Sequence, residues 1–102
     1  MSFSIDNVPS QKGRIAIVTG ANTGLGYETA LALAGKDCKV VMACRNQDKA
    51  EKAMGTIRKE FANADLAFIK LDLNSLQSVK EFAKSYSDKY DKLDLLINNA
   101  GL

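Results

Sequence analysis

Four short apolar runs constrain this chain most: RIAIVT (14–19), KVVMAC (39–44), LAFIKL (66–71) and LDLLIN (93–98). The first is rich in branched side chains and is closed by Gly20, the pattern of a buried strand. The fourth is the least sharply bounded. Each run is separated from the next by about the dozen or so residues that a parallel connection requires, or by more. The intervening stretches read as helices. From Leu25 to Gly35, LGYETALALAG predicts about three turns with a glycine stop, and its alanines suit close packing on a sheet. Asn46 is a predicted N-cap, and Ala50, Ala53, Met54, Ile57 and Phe61 then recur at steps of three and four on one face. Lys49, Lys52, Arg58 and Lys59 make the solvated remainder. Ser75 is predicted to cap a third helix with an inner stripe of Leu76, Val79, Phe82, Ala83 and Tyr86.

The order is strand, helix, strand, helix, strand, helix, strand. With right-handed crossovers it places helices on both faces of a parallel sheet. The expected class is α/β: a Rossmann-type parallel sheet, the βαβαβαβ portion of a doubly wound domain. Residues 1–13 read as an N-terminal tail, with Pro9 and Gly13 at its exit, and residues 14–102 as a partial nucleotide-binding domain. A chain of 102 residues holds one modest core and not two domains.

Charge and composition exclude several functions. The net charge is +2, from 14 basic and 12 acidic residues with no long run of one sign, so the basic stripe of a nucleic-acid binder is missing. There is no histidine, and Cys38 and Cys44 stand six apart, outside the usual zinc and CxxC spacings. Two free thiols in a reducing compartment are expected, and no metal site. No apolar stretch approaches the 18 residues of a spanning helix, and the polar start MSFSIDNVPSQKG is unlike a signal peptide. A cytoplasmic location is the expectation. A homo-oligomer is possible on this sequence but unsupported by it.

TGANTGLG (19–26) places three glycines within seven residues, where the first strand ends and the first helix begins. A glycine at 20 lets the strand turn sharply, Gly24 leaves room for a phosphate against the main chain, and Gly26 lets the helix sit close to the sheet. The amides at that helix start, with its dipole, form a cradle suited to pyrophosphate. The spacing is GxxxGxG rather than GxGxxG, and no GK[ST] follows as in a nucleoside-triphosphate loop. A tight turn without a ligand is the alternative for the glycines alone. At the end of the second strand, where a cofactor with free ribose hydroxyls meets an acid, the residues are Cys44, Arg45 and Asn46. A guanidinium there pairs with a 2′-phosphate, and Lys49 one turn on adds charge, which favours NADP(H) over NAD(H). Solvated helix-start charges are the alternative. Asp72 or the amide beside it can hold an adenine edge, with Leu73 covering a ring face, although an aspartate there is equally a turn former. NNAG (98–101) ends the fourth strand with small polar residues.

Together TGANTGLG, ACRN (43–46), LDL (71–73) and NNAG, in this order at strand ends, resemble the short-chain dehydrogenase/reductase family. The resemblance covers nearly the whole chain after about residue 13. MACRN followed by LDLNSLQSVKEFA further resembles the branch containing retinol dehydrogenases and protochlorophyllide reductases. The resemblance implies roles for Gly20, Asn22, Thr23, Gly24, Leu25 and Gly26 at the pyrophosphate and adenosine ribose, and for Arg45 at the 2′-phosphate with Lys49 as a second basic contact. It implies that Asp72 and Leu73 face the adenine. Asn99, Ala100 and Gly101 lie beside the adenine ribose and the approach to the nicotinamide, while Asn98 looks structural. Thr23 departs from members with a basic residue before the middle glycine, so the NADP preference rests chiefly on Arg45.

Members of this family use a tyrosine for proton transfer and a lysine four residues later that lowers its pKa, because a phenol near pKa 10 needs a nearby cation to act at neutral pH. No YxxxK occurs here: Tyr27, Tyr86 and Tyr90 are followed by Leu31, Tyr90 and Asp94. No residue of this chain is therefore expected to be catalytic, and Tyr86 is expected in the core. The expectation is the N-terminal, cofactor-binding part of a longer NADP(H)-dependent oxidoreductase. Its hydride would pass between nicotinamide and a carbonyl, alcohol or activated double bond of a small-molecule substrate, with the chain alone inactive. The alternative is a self-contained, noncatalytic nucleotide-binding or assembly module.

Overall fold

A computed structural model of the chain describes residues 12–20 and 24–98. The elements follow the expected order: β1 (Ile15–Thr19), α1 (Gly24–Gly35), β2 (Lys39–Cys44), α2 (Gln47–Glu60), β3 (Leu66–Lys70), α3 (Leu76–Lys89) and β4 (Leu95–Asn98). All pairings are parallel, and the strands lie in the order β3-β2-β1-β4. After α1 the chain steps outward from β1 to β2 and β3, then returns to the far side of β1 as β4. Residues at the ends of β1 and β4 therefore flank the point where the strand order reverses.

Alternation along the strands divides the core in two. Ala16, Val18, Val40, Met42 and Leu66 point to one face, where Ala30 and Leu33 of α1 and Ala53, Met54 and Ile57 of α2 cover them. Ile15, Ile17, Val41, Ala43, Ile69 and Leu71 point to the other, where Tyr86 of α3 packs, flanked by half-buried Val79 and Phe82. Helices thus cover both faces, as a parallel sheet with two apolar sides demands. Fully burying a branched side chain contributes about 1.5–3 kcal/mol, and β1 and β2 supply most of these. Cys38 and Cys44 are buried free thiols, and burial raises the pKa of both.

The expected caps are present. Asn46 Oδ1 accepts from Lys49 N–H at 3.0 Å and Ser75 Oγ from Ser78 N–H at 3.1 Å. The C-terminus of α1 differs from expectation. Asp37, not Gly35, takes the left-handed conformation, with φ 67°. The Cys38 amide bonds to Leu33 O and the Asp37 amide to Ala34 O, the paired closure of a Schellman motif. Gly35 serves another purpose: a Cβ there would lie 2.7 Å from Cζ of the Phe61 ring, which packs where a side chain would be.

Two further expectations are corrected. Leu76 and Ala83 belong to the exposed surface, Leu76 being 71% accessible. At 100° per residue, Val79, Phe82 and Tyr86 form the row seated on the sheet, while Leu76 and Ala83 lie together on its flank. β4 begins at Leu95 rather than residue 93, because Asp94 turns its carboxylate to the Ile15 amide, 2.9 Å away, and Leu93 stays exposed. Among the described residues β4 is also an edge strand. Leu95 and Ile97 pack on the α1–α2 face, whereas Leu96, pointing to the α3 face, is 63% exposed.

Candidate functional site

Because every strand runs the same way, all four C-terminal ends share one rim of the sheet. Gly20 follows β1, Arg45 follows β2, Asp72 and Leu73 follow β3, and Asn98 closes β4. The strand exits are held level. Gly20 N–H donates to Ala43 O at 2.9 Å, and Leu71 N–H donates to Cys44 O at 3.0 Å. In an open parallel sheet this rim is the ligand crevice, and the reversal of strand order beside β1 marks its centre.

The glycine turn carries the geometry that an anion cradle needs. Gly20 and Gly24 have φ of 61° and 57°, the left-handed region that side chains with a Cβ rarely enter. A Cβ built at Gly24 would find no heavy atom within 4 Å, so the main chain at the start of α1 is open to approach. Gly26, the third residue of the helix, is buried. The first turn of α1 contains no acidic residue, so its amides and dipole face no competing carboxylate. Leu25 is exposed beside them, at 60%. Asn22 and Thr23 lie outside the described residues.

Thr19, the last residue of β1, is buried, and its hydroxyl donates to Asn98 Oδ1 at 2.9 Å and more weakly to Ile97 O at 3.4 Å. This links the strand that leads into the glycine turn to the strand that leads into NNAG. Asn98 therefore has the structural placement expected of it. Thr19 was missed by sequence reasoning, although a hydroxyl at a buried strand end beside the turn was the available signal. Asn99, Ala100 and Gly101 lie outside the described residues.

Arg45 and Lys49 are exposed at the exit of β2 and in the first turn of α2. Cys44, just before them, is buried, and desolvation pushes its thiol up despite a contact to Asn46 O at 3.7 Å. It is an inert filler at the rim. Beyond β3, Asp72 is half-buried and Leu73 exposed. Asp72 Oδ1 accepts from Asn74 N–H at 3.0 Å, and Asp72 N–H donates to Ser78 Oγ at 2.8 Å. Asp72 is thus a turn former, as its residue type alone allows, with a carboxylate that still reaches the rim. The structure brings Gly20, Gly24, Leu25, Gly26, Arg45, Lys49, Asp72 and Leu73 to one end of the molecule. Those are all the expected site residues among the described ones. Among these residues no group of three or more His, Cys, Asp and Glu side chains gathers as a metal site.

The opposite rim is built differently. A depression of about 290 Å³ there is lined by residues that include Arg14, Lys39, Asp65, Tyr90 and Lys92. Three of its charged residues, Lys39, Asp65 and Lys92, are in ion pairs. Lys39 Nζ lies 2.9 Å from Asp65 and 5.3 Å from the centre of the Tyr90 ring. Lys92 lies 3.3 Å from Asp94 and bonds to Gly13 O. Asp65, chiefly, raises the Lys39 pKa. Tyr86, buried as expected, donates its hydroxyl to Lys92 O at 2.6 Å. Tyr86 and Tyr90 thus sit at the end of the sheet remote from the crevice and are structural. No helix of the described residues is long and apolar enough to cross a membrane.

Comparisons with known proteins agree with this geometry. A family model described as short chain dehydrogenase matches residues 14–102. Dehydrogenase/reductase SDR family member 13 of Homo sapiens is 47% identical over 91 residues, covering 89% of this chain and 24% of that protein. Retinol dehydrogenase 13 of Homo sapiens is 46% identical over 90 residues, covering 88% of this chain and 27% of its own length. The chain thus spans about a quarter of these curated relatives. Among solved structures, the Pseudomonas aeruginosa RhlG/NADP active-site complex superposes with a TM-score of 0.81 at 30% identity, covering 91% of this chain and 36% of that one. A parallel sheet with a GxxxGxG turn at its switch point and a match across residues 14–102 lead to one assignment: the chain belongs to the short-chain dehydrogenase family.

Proposed function

We propose that residues 14–102 form the coenzyme-binding part of an NADP(H)-dependent oxidoreductase, with residues 1–13 as its leading tail. The observation that carries this reading is the levelling of three strand exits at one rim. It sets the left-handed glycines, Arg45 and the Asp72–Leu73 turn side by side. When bound, the coenzyme would supply the hydride that a carbonyl, an alcohol or an activated double bond exchanges. This chain's residues bind and orient. Asn22, Thr23, Gly24, Leu25 and Gly26 present main-chain N–H groups to the pyrophosphate and ribose, while Gly20, whose own N–H is held by Ala43 O, turns the chain into that cradle. Arg45, with Lys49 beside it, pairs with the 2′-phosphate, since Arg45 and Asn46, the residues directly after β2, put no carboxylate there to repel it. Asp72 and Leu73 meet the adenine, and Asn99, Ala100 and Gly101 line the approach to the nicotinamide. Proton transfer at the substrate oxygen falls to a tyrosine and lysine outside this chain, since no YxxxK lies within it. The substrate is a small molecule. Within the family, MACRN, LDLNSLQSVKEFA and the likeness to retinol dehydrogenase 13 support the branch that contains retinol dehydrogenases.

The test is coenzyme titration of the full-length protein. NADPH should bind more tightly than NADH. Arg45→Ala should weaken NADPH roughly 10- to 100-fold, the worth of a charge-assisted pair, and leave NADH nearly unchanged. Equal affinities in the wild type would reject the 2′-phosphate role. Binding of neither coenzyme would reject the whole reading.

A further inference from the structure

The turn between β3 and α3 uses its amides unevenly. Asp72 N–H donates to Ser78 Oγ at 2.8 Å, Asn74 N–H to Asp72 Oδ1 at 3.0 Å and Ser75 N–H to Asp72 O at 3.1 Å. Of the four consecutive amides at 72–75, only that of Leu73 makes no hydrogen bond among the described residues. Leu73 is also 47% exposed. Ser78 is the third residue of α3, the position whose side chain in a capping box returns to the N–H of the N-cap. Here the N-cap Ser75 gives its N–H to Asp72 O, and Ser78 reaches past it to the residue that leaves the strand. The bond fixes the strand exit as well as the helix start.

We infer that Ser78 is a positioning residue for recognition of the adenine base, an inference that rests on the coenzyme reading above. By taking the Asp72 amide, Ser78 leaves a single main-chain donor, Leu73 N–H, next to a single side-chain acceptor, the Asp72 carboxylate. One of that carboxylate's oxygens is taken by the Asn74 amide, which leaves the other to accept. An adenine edge offers the complement, a ring-nitrogen acceptor beside the 6-amino donor. Hypoxanthine reverses it, with a ring N–H and a 6-oxo group, and would set its oxygen against the carboxylate. A site built to hydrogen-bond one pattern rejects the reverse because its polar groups are left unpaired. With Ser78 truncated, the Asp72 amide is released, a second donor becomes available and the turn loses its fixed alignment.

The experiment compares full-length wild type, Ser78→Ala and Ser78→Thr in titrations with NADPH and with reduced nicotinamide hypoxanthine dinucleotide phosphate. Wild type should prefer the adenine coenzyme. Ser78→Ala should shrink that preference about 3- to 10-fold, the worth of one hydrogen bond, and Ser78→Thr, which keeps the hydroxyl, should retain it. An unchanged ratio in Ser78→Ala, including equal weakening of both ligands, would reduce Ser78 to a helix-start residue and overturn the inference. So would a wild type that binds both coenzymes equally, whatever the variants do. A wild type that binds neither removes the coenzyme reading itself, and this inference with it.

Discussion

Gly35 and Asp37 exchange the roles that their residue types advertise. A glycine at a helix end reads as the left-handed stop, yet the left-handed residue is Asp37, and Gly35 is the floor on which the Phe61 ring rests. The two positions therefore predict opposite outcomes. Gly35→Ala should destabilise by about 1 kcal/mol, because the far end of the half-buried Phe61 ring must move aside to admit a methyl group. Asp37→Gly should stabilise by roughly 1 kcal/mol, since a non-glycine residue in that conformation carries a standing cost. Denaturant midpoints at constant slope would measure both, and a neutral Gly35→Ala would refute the packing account. Sequence could not make this distinction. Which glycine lacks room for a side chain depends on a ring contributed 26 positions later, and local pattern carries no such information.

At the scale of elements, the placement of β4 rests on one aspartate. Asp94 accepts the Ile15 amide with its carboxylate, gives its own amide to Ile15 O at 3.0 Å and pairs with Lys92. The Ile15 amide, first, and then Lys92 hold the Asp94 carboxyl below the ordinary value of 3.8. A lowered folded pKa contributes stability that is fully present above the unfolded value and lost as pH falls through the folded one. Wild type should therefore exceed Asp94→Asn in stability above pH 3.8, and the difference should close progressively below it. Paired thermal melts across acid pH test this, and a constant gap down to the lowest pH would exclude the carboxylate as its source. The strands, the helices and both polar caps were legible because each rests on local pattern: apolar runs, and Asn46 and Ser75 before apolar stripes. The later start of β4 and the exposure of Leu76 were not, since both depend on where the sheet stops.

For the whole molecule, the parallel topology made most of the candidate site readable. Once every strand points one way, residues after strand ends must meet, so Gly20, Arg45 and Asp72 converge without any contact being known beforehand. Ser78 stayed hidden because its partner is a main-chain amide six residues earlier, and only the folded turn brings the two together. Among the described residues, topology also leaves β4 at the edge, with Leu96 63% exposed on the α3 side and no strand paired on its outer flank. Such an edge templates further pairing. Expressed alone, the 102-residue chain should self-associate. Sedimentation across a concentration series should show oligomers, and replacing Leu96 with lysine should reduce them. A monomer with concentration-independent, cooperative unfolding would contradict this.

The rim of ion pairs and tyrosines at the strand starts has a consequence of its own. Lys39, Asp65, Tyr86 and Asp94 clamp the strands where no coenzyme would touch them. Under the proposed role of Arg45 and Lys49, replacements there would change nucleotide preference while that remote clamp keeps the scaffold intact, so specificity and robustness would be separately adjustable.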